Sequence, residues 1–268
     1  MVPQLEIERI PESALARDAQ RSFDRFPWWL LAIISFLVIM AAVIILREAY
    51  SEAFGFIISG IRLTLYTTIV AFVVALIIGL MTGLGRISHN VVIRNLAITY
   101  VEFIRGVPTL VLIFTLAIVI VPAAADAVGL ENKLVSQNSR AIAALAIIYG
   151  AFLAEIFRAG IESIPPGQME AARSLGMSYA QSMRYVILPQ AIRNISPALG
   201  NDFIAMLKDS SLVSVLAVHD LTQRARLYAG STFRFRESYL VLTVSYLTLT
   251  LALSLFLRWY ERRLGKDA

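Results

Sequence analysis

The chain contains no cysteine, two histidines, and charged residues at only 16% of its 268 positions. Without thiols, disulfides, cysteine-ligated metals and thiol catalysis are excluded. His89 and His219 lie far apart in polar stretches, so no zinc site is expected from them. No Gly-x-x-x-x-Gly-Lys-Ser/Thr run is present to cradle phosphates. Gly83-Leu-Gly85-Arg86 lacks the βαβ setting of a dinucleotide fingerprint and reads as helix packing or a turn. No Ser/His/Asp order suggests a hydrolase. The shortage of charge also argues against a soluble domain, which carries about 25% charged residues.

What is abundant is apolar sequence, at 58% of the chain. A helix needs about 20 largely apolar residues to cross the hydrocarbon core. Six stretches are read as spans: Trp28–Leu46, Phe56–Gly83, Val107–Ala123, Ala141–Phe157, Ile195–Val218 and Tyr239–Leu257. The first opens on Trp28 and Trp29, aromatics suited to a membrane interface. A signal peptide is the competing reading, but the preceding segment is long and no small-residue cleavage site follows. The second span carries Gly60, Ala71, Ala75 and Gly79, small residues that let helices pack closely in lipid. The fifth is unusual in holding Asp202, Lys208 and Asp209. The fold class is therefore an all-α polytopic membrane protein of about six transmembrane helices.

The formal net charge of +5 sits between the apolar runs, with no basic stripe interleaved with aromatics. Nucleic acid is not an expected partner; the lipid bilayer is. With both termini inside, about twice as many Lys and Arg fall on the inner side as on the outer, which sets the orientation. Residues 1–27, with Arg9, Arg17, Arg21 and Arg25, form a cytoplasmic tail in this reading. The outer stretch 219–238 is the misfit, with Arg224, Arg226, Arg234 and Arg236; folding back against the bundle, instead of facing lipid, would account for it.

The inner loop, about 162–190, contains GQMEAARSLGMSYAQSMRYVILPQ. Glu170, Ala171, Ala172, Leu175 and Met177 suit a short amphipathic helix. Ser178 is placed to cap a second, with Met183, Val186 and Ile187 on its apolar side. Leu188 and Pro189 punctuate the return to the membrane. Gly176 is expected at a close-packed turn between the two helices. A helix lying on the inner surface suits a groove on a soluble partner, and an ordinary interfacial helix is the alternative.

This loop resembles the EAA motif of ABC importer permeases, on Glu170, Ala171, Ala172, Gly176, Val186, Leu188 and Pro189, with Val186 where isoleucine is usual. Tyr100-Val-Glu-Phe-Ile-Arg-Gly-Val-Pro108, Ala154-Glu-Ile-Phe-Arg-Ala-Gly-Ile161 and Leu207-Lys-Asp-Ser-Ser-Leu-Val-Ser214 resemble segments of the polar amino-acid permeases. These are the histidine, glutamine, glutamate and arginine subfamily. The resemblance covers about 55–265 and implies a type I importer fold there, with 28–46 as an added helix. It implies two ATP-binding subunits in the cytoplasm, a second permease (identical or sister) and an extracytoplasmic binding protein. It also implies a bacterial cytoplasmic membrane and an EAA loop that couples to the ATPase. ATP and Mg would be held by the partner, with no cofactor and no catalysis in this chain. A channel or a membrane-embedded enzyme is the alternative class; neither needs the EAA loop.

Ionisable groups within spans usually face a cavity or a partner. Thr109, Glu155, Asn201, Asp202 and Lys208 are the candidate substrate-pathway residues. Glu155 reads either as part of a site for an ammonium or as an ion pair with Arg158 at i, i+3. Asn201, Asp202, Lys208 and Asp209 read as polar contacts between helices near a pore. Arg105 and Glu102 are expected to pair within the inner loop. Leu112 stands where the resembling permeases often have glutamine, which counts against a complete polar pocket in this subunit.

Overall fold

The computed structural model of the protein describes residues 28–129 and 135–264. The tail at 1–27, Lys133 and Lys266 lie outside the described residues. Among the described residues every regular element is helical. Helix α1, Trp28–Leu46, is apolar on all sides and buries only Met40. Such a helix needs lipid around it. It is followed by α2, Glu48–Ile58, and α3, Ile61–Arg86, which together make one span of 39 residues. That span is longer than the expected 56–83 at both ends.

Helix α4, Val91–Gly106, starts where the Asn90 side chain accepts the N–H groups of Val92 and Ile93. The next span runs Thr109–Ala127, as α5 (Thr109–Phe114), a π turn (Thr115–Ile120) and α6 (Val121–Ala127). The π turn has a local cause. Pro122 has no N–H to give, and its ring crowds the carbonyl four residues back. The ladder slips by one residue, so that Val121 donates to the Leu116 carbonyl. Helix α7, Gln137–Glu162, is the most deeply buried span.

Helices α8 (Pro166–Ser174) and α9 (Tyr179–Ser182) form the inner loop. From α9 the helix continues through a second π turn, Met183–Ile187, into α10, Leu188–Asp209. Leu188-Pro189 therefore does not break the chain as expected. The same slip absorbs the proline, with Leu188 donating to the Met183 carbonyl. Helix α10 starts and stops earlier than the expected 195–218, and Ser210–Leu216 is a tight 3-10 segment. Five spans among the described residues are long and apolar enough to cross a membrane. Helix α10 is not among them, being too polar with Arg193, Asp202, Lys208 and Asp209.

The outer stretch does fold back. Helix α11, Leu221–Thr232, packs against α2 and against α12, Phe235–Leu264. Two of the arginine charges in the stretch 219–238 are absorbed locally. Arg224 lies over the Phe56 ring at 5.3 Å, and Arg234 pairs with Glu52 at 2.5 Å. Buried Asp220 caps α11 by accepting the Gln223 N–H at 2.8 Å, and burial pushes its carboxyl up to about 6. The Leu221 N–H donates to Thr64 Oγ1 at 3.1 Å, tying α11 to α3.

The core is the parallel pair α3–α7. Thr64, Thr67, Thr68, Ala71, Ala75, Gly79 and Gly83 of α3 are buried as one stripe. Opposite them lie Gly150, Ala151 and Ala154 of α7. A Cβ at Gly79 would stand 2.6 Å from Leu153 Cβ, and one at Gly83 would stand 2.9 Å from Phe157 Cβ. In lipid there is little hydrophobic drive between helices, so this closeness is what supplies dispersion contact.

Gly79→Ala is expected to destabilise the protein by about 1–3 kcal/mol through overpacking. Gly55→Ala, where an added Cβ meets nothing within 4 Å, should be neutral or stabilising by up to about 1 kcal/mol. Thermal unfolding of the two purified variants checks the contrast, and equal midpoints would refute it.

Candidate functional site

Two regions carry the polar chemistry. The first is the inner mouth of the helix bundle. Glu155, seven residues before the end of α7, is enclosed by three arginines. Its Oε1 accepts from Arg86 and, at 3.2 Å, from Arg105, while its Oε2 accepts from Arg158 Nε at 2.9 Å. Arg158 also pairs with Glu162 at 2.5 Å. The expected Glu155–Arg158 pair is present, but Arg86 from the end of α3 and Arg105 from the end of α4 complete the group. Arg105 thus pairs with Glu155, not with Glu102 as the sequence suggested. The reason is geometric: Tyr100 Oη donates to the Ile147 carbonyl at 2.5 Å and draws α4 along α7. Three guanidinium groups around one carboxylate leave no net negative field there for an incoming ammonium.

The second feature is a cavity of about 350 Å³ beside this cluster. Its inner side is Arg105 and Glu155, and its outer side is Tyr149 and Asp209, with Thr109, Phe152, Ile156, Asp202 and Ala205 between them. Helices α7 and α10 run antiparallel, which brings Asp202 and Asp209, seven residues apart on α10, onto the cavity face of α7. Tyr149 Oη donates to Asp209 Oδ2 at 2.9 Å. The size is at the small end of ligand pockets, about 300–1,000 Å³. The structure therefore brings Thr109, Glu155 and Asp202 together. It leaves Asn201 and Lys208 outside the cavity, exposed on another face of α10. Leu112 is buried in the core at 3% exposure and does not line the cavity. Tyr149, Asp209 and Arg105 are lining residues the sequence reading had not placed in the candidate pathway.

At the end of the bundle where α8 and α9 lie, Met183 and Ile187 pack with Ile161, Ile164 and Ala191, and Ala172 of α8 is buried. Ser178 accepts the Gln181 N–H, and the Gln181 side chain accepts the Ser178 N–H at 2.8 Å, closing a capping box. Glu170 and Ala171 are exposed, Val186 and Leu188 are half-buried, and Pro189 is exposed. Gly176 joins the helices at φ +84, and nothing lies within 4 Å of a Cβ placed there. The expected close packing is absent. Glycine is needed because the left-handed backbone disfavours a side chain. Leu175 is 84% exposed, with Tyr179 and Tyr185 exposed nearby in the chain. Leu175 and Tyr185 lie outside the buried core, while the Tyr179 ring meets His89 edge-on, with centroids 6.1 Å apart.

A bundle of this build, with a polar cavity within it and a loop of paired short helices at its inner end, is the membrane domain of a type I ABC importer. The chain belongs to the family of binding-protein-dependent transport system inner membrane components, whose pattern matches residues 75–266. It is the membrane-spanning permease subunit of an ATP-driven importer. It is 37% identical over 216 residues to the probable glutamine ABC transporter permease protein GlnM of Bacillus subtilis, covering 81% of this chain and 96% of that one. It is 34% identical over 217 residues to the glutamine transport system permease protein GlnP of Escherichia coli, again covering 81% and 96%. A crystal structure of an amino acid ABC transporter with histidines superposes with a TM-score of 0.67 at 42% identity, covering 80% of this chain and 95% of that one. The fold also matches a bacterial alginate ABC transporter at 19% identity and a TM-score of 0.61, over 93% of this chain and 99% of that one.

Removing the carboxylate should expose mutual repulsion among Arg86, Arg105 and Arg158. Glu155→Gln is expected to cost about 3 kcal/mol, the low end for breaking a buried pair, because Glu155 keeps 21% exposure. Adding Arg86→Gln should restore part of that loss. Thermal unfolding of the single and double variants checks this, and an unchanged midpoint for Glu155→Gln would contradict it.

Proposed function

We propose that this subunit moves polar amino acids across a bacterial cytoplasmic membrane. It pairs with a second permease, and two ATP-binding subunits dock on its inner loop. The observation that carries the substrate class is the cavity with charges of both signs in its wall. An amino acid at neutral pH is a zwitterion, and an apolar or singly charged site would leave one of its charges unpaired at high cost. Arg105 is 46% exposed and gives Glu155 only one contact, from Nη1 at 3.2 Å. Its remaining donors suit an α-carboxylate. Asp202 and Asp209 suit the ammonium or a cationic side chain. Glu155 enters the pathway as the group that holds Arg105 in place, and Thr109 offers a hydroxyl. Asn201 and Lys208 occupy an exposed polar face of α10, suited to the interface with the second permease.

Coupling follows from the inner loop. Leu175 and Tyr185 offer exposed apolar anchors for a groove on the ATPase. Glu170, Ala171, Ala172, Gly176, Val186, Leu188 and Pro189 set the shape that presents them. ATP and Mg belong to that partner. An extracytoplasmic binding protein delivers the substrate, and the basic α11 region is on its side of the membrane.

Reconstitution with the ATPase and binding protein tests both halves. Leu175→Asp should leave the permease folded and abolish most ATPase co-purification. Asp202→Asn should assemble and hydrolyse ATP, with amino-acid uptake reduced at least about tenfold, as expected for one lost charge-assisted hydrogen bond of about 1.5–3 kcal/mol. Undiminished uptake by the assembled Asp202→Asn complex would refute the substrate site. Full co-purification with Leu175→Asp would refute the docking surface.

A further inference from the structure

A second cavity, of about 440 Å³, lies at the cytoplasmic ends of α3 and α7 and is separate from the amino-acid cavity. Its wall includes Arg86, the last residue of α3, then Ser88 and His89 of the following turn, Arg94 of α4 and Glu162 at the end of α7. The charge balance is positive. Glu162 is already paired with Arg158 at 2.5 Å. Arg94 is exposed and makes no ion pair with another described residue. Arg86 gives one end of its guanidinium to Glu155, yet its buried Nε has no hydrogen-bond partner among the described residues. A basic site with such spare donors calls for an anion.

The surroundings decide which anion. The cavity sits where two membrane-spanning helices end, at the depth of the inner-leaflet headgroups. Flanking Arg94 on α4, Val91 and Ile93 are exposed to 57% and 49%. Acyl chains would cover them, whereas a free phosphate would leave them in water. Basic pockets between spans on the cytoplasmic side take anionic headgroups for these reasons.

We propose that this cavity binds the headgroup of an anionic phospholipid of the inner leaflet. Its phosphate lies against Arg94 and His89, and its acyl chains run along Val91 and Ile93. The lipid then bridges α4 to the turn that precedes the coupling helices, and the lipid composition of the leaflet bears directly on how firmly that region is held.

The test uses the complete transporter, purified with its ATPase, and a fluorescent phosphatidylglycerol as the probe. Wild type is expected to retain phosphatidylglycerol in preference to phosphatidylcholine. Arg94→Glu should lower retention at least about fivefold, the effect of one basic residue near the surface. Arg94→Lys should keep most of it. ATPase co-purification, read in parallel, should be unchanged in both variants, and millimolar inorganic phosphate should not displace the lipid. Equal retention by Arg94→Glu and wild type would overturn the site. Displacement of the probe by inorganic phosphate would assign the pocket to a free anion. Loss of the ATPase with Arg94→Glu at constant lipid would assign it to the protein partner. Either of these last results overturns the lipid proposal.

Discussion

Helices α3 and α7 touch backbone to backbone because Gly79 and Gly83 leave room for Leu153 and Phe157, and because Gly150 leaves room for Ile78. A Cβ at Gly150 would stand 2.6 Å from Ile78 Cγ2. Without that closeness the rest loses its frame. Arg86, at the end of α3, reaches Glu155 only because the two helices lie side by side. Tyr100 then bonds to α7 and brings Arg105 to the same carboxylate. The cavity lies on the next face of α7, between it and α10. Close packing at glycine thus brings the arginines of α3 and α4 to the Glu155 carboxylate on α7.

The charges are arranged so that few are left to lipid. Burying an ion pair gains little over apolar packing, while breaking one leaves an uncompensated charge. One carboxylate shared by three arginines suits the partly exposed end of the bundle where Glu155 lies. Deeper in, Asp209 is held by the Tyr149 hydroxyl and Asp202 borders the cavity. The polar residues of α10 divide by face. Asp202 and Asp209 turn to the cavity, and Asn201 and Lys208 are exposed. One helix therefore presents acidic groups to the cavity and a separate exposed polar face.

Much of this was legible in the sequence, and the remainder was not for definite reasons. The small-residue stripe of α3, the Ser178 cap and the EAA loop are local patterns, and the structure has each of them. Glu155–Arg158 is a contact within one turn and was equally visible. Arg86 and Arg105 lie 69 and 50 residues from Glu155, and no spacing rule reaches across that separation. The same holds for Tyr149–Asp209, 60 residues apart. Proline misled in one place: Leu188-Pro189 reads as a break, but a π turn carries the helix through it. Gly176 was correctly singled out for the wrong cause, since its backbone angle, not crowding, requires glycine. Helix α10 was the hardest to bound, because its polar residues blur the edges that hydropathy relies on.

If the α3–α7 pair is the frame, it should move as one body while the coupling loop and α10 respond to the ATPase. The native chain has no cysteine, so paired spin labels can be placed without removing any. Labels at Met81→Cys on α3 and Ala159→Cys on α7 sit at exposed positions. In the assembled transporter, their distance distribution is expected to be the same in the nucleotide-free and ATP-trapped states, while the distance from Met81→Cys to a label at Tyr185→Cys changes. A distance between α3 and α7 that shifts with nucleotide would contradict the account.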